Sequence, residues 1–221
     1  HSEVLGDTLP KIATEKAGIH RPGVPLLCLV HEDDEVRAAV EGVAGGDVVW
    51  VPPAGQDAQG VARNMASVIG SRIGWKEQET SVVWPGRSLD RIPWLGADLI
   101  MSAAHNSESL SHDMGRLGSE RHVLVVGMTQ KEDLTESIEP LLRSQGRVRT
   151  IVTEIHGGRN PSVPSRDLSE RLSRDSGEAP LLVPDPIQAI DTASEIAREE
   201  DCLVYVTGSV YLVGQAVEEM V

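Results

Sequence analysis

Short apolar runs that alternate with helical segments are the feature that most limits how this chain can fold. Five runs of strand length recur in its second part, at 97–101, 122–126, 148–152, 181–183 and 203–206. They are apolar on both faces, as in strands of a parallel sheet that is covered by helices on each side. The alternation therefore predicts a mostly parallel α/β domain, with functional loops at the carboxyl ends of its strands.

The first part of the chain shows a similar but less regular alternation. Thr8 is a suitable N-cap for a short helix that Gly18 ends. The further predicted elements are a strand at 24–30, a helix at 35–43, a strand at 47–51, a helix at 56–73 and a strand at 81–84. Because Pro85-Gly86 interrupts this pattern, we predict a boundary there, with one domain at 1–84 and a second at 85–221.

Charge and apolar content exclude several classes of protein. The chain has 34 Asp and Glu against 20 Lys and Arg, and its net charge of −14 disfavours nucleic acids and anionic membranes as partners. No apolar run approaches the roughly 20 residues that a membrane span requires. Cys28 and Cys202 lie within apolar runs, where buried free thiols are expected, and we therefore expect a reducing, cytoplasmic setting.

Four motifs in a fixed order carry a resemblance to a known family. The chain opens with H-S-E-V-L-G-D-T and continues with I-A-T-E-K-A-G-I; Pro85-Gly86-Arg87, Ala104-His105-Asn106 and V-T-G-S-V-Y-L-V-G at 206–214 follow. In this order they resemble the folylpolyglutamate and dihydrofolate synthases, which are ligases of the Mur type. Since the chain begins at His1 without an initiator Met, we expect it to be the carboxy-terminal portion of such an enzyme.

The resemblance implies a fold, an activity and partners. The fold would be the remainder of a central Mur-ligase α/β domain, then a Rossmann-like Mur ligase domain at the carboxyl end. Members of the family use ATP and Mg²⁺ to join L-glutamate to the carboxylate of a folate or pteroate through an acyl phosphate. They are usually monomers, so a monomer is expected here.

Lys16 and His1 match the magnesium ligands of the family. There the lysine of E-K-A-G is carbamylated, which turns a cation into a carboxylate-like ligand near the γ-phosphate. Without the resemblance, Lys16 would be interpreted as a solvated helix lysine and His1 as a disordered terminal residue. The match reverses that interpretation for Lys16.

Arg87 and Asn64 match family residues that contact the nucleotide. A guanidinium clamps phosphate oxygens while it stays charged, and an amide offers the donor and the acceptor that an adenine edge requires. The structural alternatives are a surface arginine on a turn and an asparagine on a helix surface. For Asn64 this alternative has equal weight, because Gly60-Val61 replaces the family's preceding His-Gln pair.

The family's nucleotide-binding box, D-G-A-H-N, reads Ser102-Ala103-Ala104-His105-Asn106 in this chain. Ser102 can bind a ribose hydroxyl or a water but lacks the negative charge of the aspartate, which brings catalytic competence into question. His105 and Asn106 remain as nucleotide contacts; the alternative for His105 is a histidine satisfied by backbone at a strand end. Thr207-Gly208-Ser209 permits an anion site, but a plain turn with Ser209 as N-cap is favoured.

The family's phosphate-binding loop, which ends in Gly-Lys-Ser, does not occur in this sequence. Because positioning and charge neutralisation supply most of the catalysis in phosphoryl transfer, we expect this chain to be inactive by itself. Two interpretations stay open. The chain is part of a whole ligase, or it is a non-catalytic homologue that binds a nucleotide or a partner.

Overall fold

The computed structural model describes residues 6–55, 58–76, 85–87, 89–173 and 179–220. The chain divides into two compact units, 1–81 and 82–221. The domain boundary predicted before Pro85 adjoins residues 77–84, which lie outside the described residues, and it stays a prediction. The predicted strand at 81–84 and the predicted ligand His1 also lie outside them.

The described residues of the first unit form two paired strands and three α-helices. Its elements are α1 (Leu9–Ala17), β1 (Leu26–Leu29), α2 (Asp34–Ala44), a 3₁₀ turn (Gly45–Asp47), β2 (Val48–Val51) and α3 (Ala58–Ile73). β1 and β2 are parallel, with Leu26 opposite Val48. The predicted cap of α1 is confirmed, because the Thr8 hydroxyl accepts a hydrogen bond from the Lys11 N–H at 3.4 Å.

The second unit contains a six-stranded sheet, so the predicted mostly parallel α/β fold is confirmed. Its strands are β3 (Arg91–Trp94), β4 (Ala97–Met101), β5 (His122–Val126), β6 (Arg147–Val152), β7 (Leu181–Leu182) and β8 (Leu203–Thr207). Their order is β3-β4-β8-β5-β6-β7, and every pair is parallel except β3 with β4. All residues of β5 and β8 are buried, as their continuous apolar sequences predict.

Five helices among the described residues cover the two faces of this sheet. α4 (Ser107–Leu117), α5 (Leu134–Leu142) and α6 (Ser165–Leu172) share one core with the strand side chains of one face, including Leu124 and Tyr205. α7 (Pro186–Glu199) and α8 (Val210–Met220) share the core of the other face, which includes Val125 and Val206. Alternate residues of one strand thus enter opposite cores, as the two-residue period of a strand requires.

Strand β3 is the element that the sequence analysis did not predict. It forms a hairpin with β4, in which Trp94 pairs with Ala97 across the two-residue turn Leu95-Gly96. Both turn residues have positive φ, 48° for Leu95 and 80° for Gly96, as in the turns that match the twist of a hairpin. The sequence did not predict this edge strand, because Pro93 interrupts the strand pattern and leucine is unusual as the first residue of such a turn.

Both cysteines are free, as expected, but they are half-buried and not buried as their apolar neighbours predicted. Within the described part of the chain, no helix combines the length and the apolar character that crossing a membrane requires.

Candidate functional site

The strand order creates a crevice at the carboxyl edge of the large sheet. β8 lies between β4 and β5. The loops after β4 and β5 lead to helices on one face, whereas the loop after β8 leads to α8 on the other. Neighbouring loops therefore diverge at this edge, and in open α/β sheets such a point is where ligands bind.

Backbone hydrogen bonds fix the three loops that form this edge. The Gly208 N–H donates to the Ala104 carbonyl at 3.0 Å, and the Gly127 N–H donates to the Thr207 carbonyl at 3.3 Å. Gly208 has a φ of +107°, and a Cβ there would lie 2.5 Å from the Gly127 carbonyl oxygen. Only glycine fits this position without a shift of the backbone, so the loops after β4, β5 and β8 are held in close contact.

The segment Ser102 to Asn106 follows β4 at this edge, and we refer to it as the box. The Ser102 side chain is buried and its hydroxyl contacts other protein groups: it accepts from the Ala104 N–H at 3.1 Å and donates to the Asp113 carboxylate. His105 is exposed, with Nδ1 2.9 Å from the Ala103 carbonyl oxygen. The box therefore presents the His105 ring outwards and keeps the Ser102 hydroxyl inside the fold.

Asn106 has a structural task within the box. Its side-chain oxygen accepts from the Ser109 N–H at 2.8 Å, and the Ser109 hydroxyl returns a contact to the Asn106 backbone, which completes a capping box for α4. Ser209 caps α8 in the same manner, because its hydroxyl accepts from the Tyr211 N–H at 3.1 Å. This bond supports the interpretation of 207–209 as a strand-to-helix turn.

Lys131 is a residue of this edge that the sequence analysis missed. It lies in the loop after β5, and its ammonium group donates to the His105 carbonyl oxygen. Burial lowers the pKa of Lys131, while Asp133, with a carboxylate oxygen 3.9 Å from Nζ, partly opposes that effect. Its position directly beyond a buried strand was the available signal, because such loops share the edge with the box.

The turn that contains Arg87 contacts the box. The Ala103 N–H donates to the Gly86 carbonyl at 2.8 Å, and a Cβ on Gly86 would lie 2.7 Å from the Val213 side chain. Arg87 itself is exposed. The structure thus brings the Arg87 turn, the box and Lys131 together within the second unit.

The other predicted site residues belong to the first unit. Lys16 is exposed in the last turn of α1. Asn64 is half-buried on α3, and its Nδ2 donates to the Pro52 carbonyl at 3.2 Å. Across the residues that the structure describes, no group of three or more His, Cys, Asp or Glu side chains is arranged to hold a metal ion.

The comparisons with known proteins agree with the motifs. No family model matches the chain. A probable dihydrofolate synthetase of Schizosaccharomyces pombe is 26% identical over 97% of this chain and 62% of its own length. A folylpolyglutamate synthase of Arabidopsis thaliana is 51% identical over 41 residues, which are 19% of this chain and 7% of that protein.

Solved structures of similar fold cover the whole chain. Escherichia coli FolC in complex with ADP superposes with a TM-score of 0.72 at 20% identity, over 100% of this chain and 59% of that one. Mycobacterium tuberculosis folylpolyglutamate synthase, complexed with ADP and AMPPCP, gives 0.75 at 19% identity, over 99% and 61%. At these identities the likeness establishes the fold.

This chain thus spans about three-fifths of the length of the relatives that it matches throughout. The motif order, the whole-chain relative and the fold point to the same group of proteins. The predicted resemblance is therefore confirmed: over its whole length the chain is similar to a probable dihydrofolate synthetase in sequence and to folylpolyglutamate synthases in fold.

Proposed function

We propose that this chain is part of an ATP-dependent ligase that adds L-glutamate to a folate, a dihydropteroate or both. The observation that carries the proposal is the edge of the large sheet, where the box, the Arg87 turn and Lys131 lie together at the point from which neighbouring loops diverge. An exposed arginine, a half-buried lysine and an exposed imidazole at such a crevice suit an anionic ligand such as a nucleotide. The relatives whose structures contain ADP or AMPPCP support that choice of ligand.

The proposed reaction has two steps. The γ-phosphoryl group of ATP passes to a carboxylate oxygen of the folate or pteroate, which releases ADP and forms an acyl phosphate. The amine of L-glutamate then attacks the acyl carbon, loses a proton, and displaces inorganic phosphate as the amide bond forms.

In this scheme, Arg87 steadies the phosphates because its planar guanidinium can donate two parallel hydrogen bonds to them. His105 frames the nucleotide at this edge, and Ser102 and Asn106 hold the box in shape through their hydrogen bonds. Mg²⁺ would neutralise phosphate charge, and Lys16, once carbamylated, would hold it together with His1. An unmodified ammonium repels a cation, so the metal site depends on that modification.

A second candidate function belongs to a different class. The box has Ser102 in place of the acid of the family pattern, and that observation favours a non-catalytic homologue that binds a nucleotide or a partner without reaction. The ligase and the nucleotide-binding form of this homologue both predict nucleotide binding at the same edge. They differ in whether the protein forms the amide product.

Isothermal titration of Mg-ATP into the chain tests the shared part of both candidates. We expect binding that weakens at least tenfold in Arg87→Ala, since a charge-assisted hydrogen bond to phosphate contributes about 1.5–3 kcal/mol. Arg116→Ala is the matched control, because Arg116 is exposed near the far end of α4. Equal affinities in the two variants would reject Arg87 as a nucleotide contact, and no heat at millimolar nucleotide would show that this chain does not form a nucleotide site by itself.

Product formation separates the two candidates. The full-length protein, rather than this chain alone, is mixed with Mg-ATP, L-glutamate and dihydropteroate, or a reduced folate in its place, and the mixture is analysed for the amide product by mass spectrometry. Amide formation that depends on Arg87 supports the ligase. Binding of Mg-ATP without any product in a protein that contains a phosphate-binding loop supports the non-catalytic homologue.

A further inference from the structure

Three buried or half-buried polar groups meet beneath the box. The hydroxyls of Ser102, at the end of β4, and of Tyr205, in β8, both donate to the same carboxylate oxygen of Asp113, the Tyr205 contact at 3.2 Å. Ser102 is 4% exposed and Tyr205 is fully buried. Asp113 projects from the second turn of α4, eleven residues beyond Ser102 in sequence.

The direction of these hydrogen bonds follows from the chemistry of the groups. Burial and the nearby Asp113 carboxylate raise the pKa of Tyr205, so its hydroxyl keeps the proton and acts as a donor. The Ser102 hydroxyl donates its single proton to Asp113, and its lone pairs remain to accept from the Ala104 N–H at 3.1 Å. A chain of contacts therefore runs from Asp113 through Ser102 to the backbone of the box.

The same chain of contacts brings negative charge to the end of β4. The box carries no acid of its own at position 102, yet a carboxylate reaches the Ser102 hydroxyl from the neighbouring helix. Two hydroxyl donors to one carboxylate oxygen are charge-assisted bonds, which are stronger than neutral ones. Both residues are buried, so water cannot easily replace the carboxylate as a hydrogen-bond acceptor. Loss of the carboxylate would therefore leave two buried donors without an acceptor.

We propose that Asp113 is a positioning residue for the box. Through Ser102 it fixes the backbone at Ala104, and by this route it holds the exposed His105 in a defined place at the crevice. Asp113 itself touches no ligand in this arrangement. The positioning role is independent of the proposed ligase function, whereas its consequence for nucleotide affinity rests on that function.

Amide hydrogen exchange of Ala104, measured by NMR, tests the positioning directly. In Asp113→Ala, the exchange rate of the Ala104 amide is expected to increase by a factor about ten times larger than that of the Leu124 amide. Leu124 lies in the centre of the sheet, and its amide reports global unfolding. Glu195→Ala on α7 is the matched control, because Glu195 is an exposed carboxylate on the opposite face, and both amides should keep their parent rates.

A reciprocal exchange of the two side chains provides the rescue. The double variant Ser102→Asp with Asp113→Ser keeps the combined length of the pair and returns a carboxylate to the cluster. We expect exchange at Ala104 within about threefold of the parent rate. If Asp113→Ala does not fold, the isosteric but uncharged Asp113→Asn takes its place, with the same direction expected.

Two outcomes overturn the proposal. Ala104 exchange that changes only as much as Leu124 exchange would show that Asp113 contributes to stability alone. A double variant that exchanges as fast as Asp113→Ala would show that the hydroxyl-carboxylate pair does not hold the box.

Titration of Mg-ATP into the same variants measures the effect on nucleotide binding. Asp113→Ala should bind Mg-ATP more weakly than the parent chain, and the double variant should regain the parent affinity. A parent chain that binds no nucleotide would show that it forms no nucleotide site by itself, and the exchange rates still decide the positioning.

Discussion

The two units of this chain contain parallel strands of similar composition but very different burial. In β1 and β2 only Val51 is buried, and Leu29 is 40% exposed. In β5 and β8 every residue is buried, because strands on both sides and helices on both faces cover them. An apolar run of strand length therefore predicts a strand in both units, but the degree of burial depends on how many neighbours the strand has.

This difference in burial indicates that the second unit contributes more to the stability of the chain than the first. The second unit has two cores of its own, one on each face of its sheet. The first unit keeps large apolar side chains exposed on its helices, among them Ile73 at 54%, as well as Trp75 just beyond α3 at 73%. Since apolar burial supplies most of the favourable free energy of folding, we expect core substitutions in the second unit to cost far more.

The largest expected effect comes from truncating a leucine of a strand in each unit. Leu124→Ala removes a fully buried side chain from β5 and should lower the free energy of unfolding by about 3–4 kcal/mol. Leu29→Ala in β1 should cost about 1 kcal/mol, because part of that side chain is already in water. Urea unfolding followed by circular dichroism measures both. Equal losses would contradict the comparison and indicate that the first unit has an equally tight core.

Two glycines with positive φ give a smaller effect that sharpens the same comparison. Gly208→Ala combines an unfavourable φ with a Cβ only 2.5 Å from the Gly127 carbonyl oxygen, and it should cost about 2–3 kcal/mol. Gly45→Ala in the first unit has a φ of +60° but no atom within 4 Å of the new Cβ, so about 1 kcal/mol is expected. A Gly208→Ala chain as stable as Gly45→Ala would mean that the loops at the sheet edge separate easily.

The sequence predicted the second unit more completely than the first, and burial explains why. The predicted strands at 97–101 and 122–126 match β4 and β5 in full, because runs that are buried on both faces have a continuous apolar pattern. The run at 24–30 extends beyond β1 at both ends, since a half-exposed pair of strands ends before the apolar residues do. Strand β3, with its proline, carried no such pattern.

The candidate site was predictable only where a local motif carries it. The resemblance identified Ser102, His105 and Asn106, which the structure places in one loop at the sheet edge. The partnership of Ser102 with Asp113 joins a strand end to the second turn of a helix, and no local spacing rule predicts such a contact. Lys131 was not predicted as a site residue for the same reason, because its hydrogen bond to the His105 carbonyl joins two different loops.

The smallest expected effect concerns the response of the large sheet to acid. Among the described residues, His122 is the fully buried histidine; its Nδ1 lies 2.7 Å from the Glu120 carbonyl oxygen and its Nε2 lies 3.1 Å from the Ser144 hydroxyl. Burial lowers the pKa of His122 below its usual 6.5; the neighbouring Arg147 acts in the same direction, and the Glu120 carbonyl partly opposes it. The unfolded chain therefore takes up a proton at His122 at a higher pH than the folded chain does.

The sign of the pH dependence follows from that difference. The contribution of His122 to stability is complete above pH 6.5 and is lost as the pH falls from there through the lowered folded pKa, by at most about 1.4 kcal/mol per pH unit. Urea midpoints at pH 7.5 and 5.5 measure the loss. His122→Gln should reduce the difference between the two midpoints, whereas His112→Gln, on the exposed side of α4, should preserve it. If His122→Gln keeps the full difference between the urea midpoints at pH 7.5 and 5.5, groups other than His122 cause the response to acid. The buried sheet of the second unit would then differ from the first unit in packing alone.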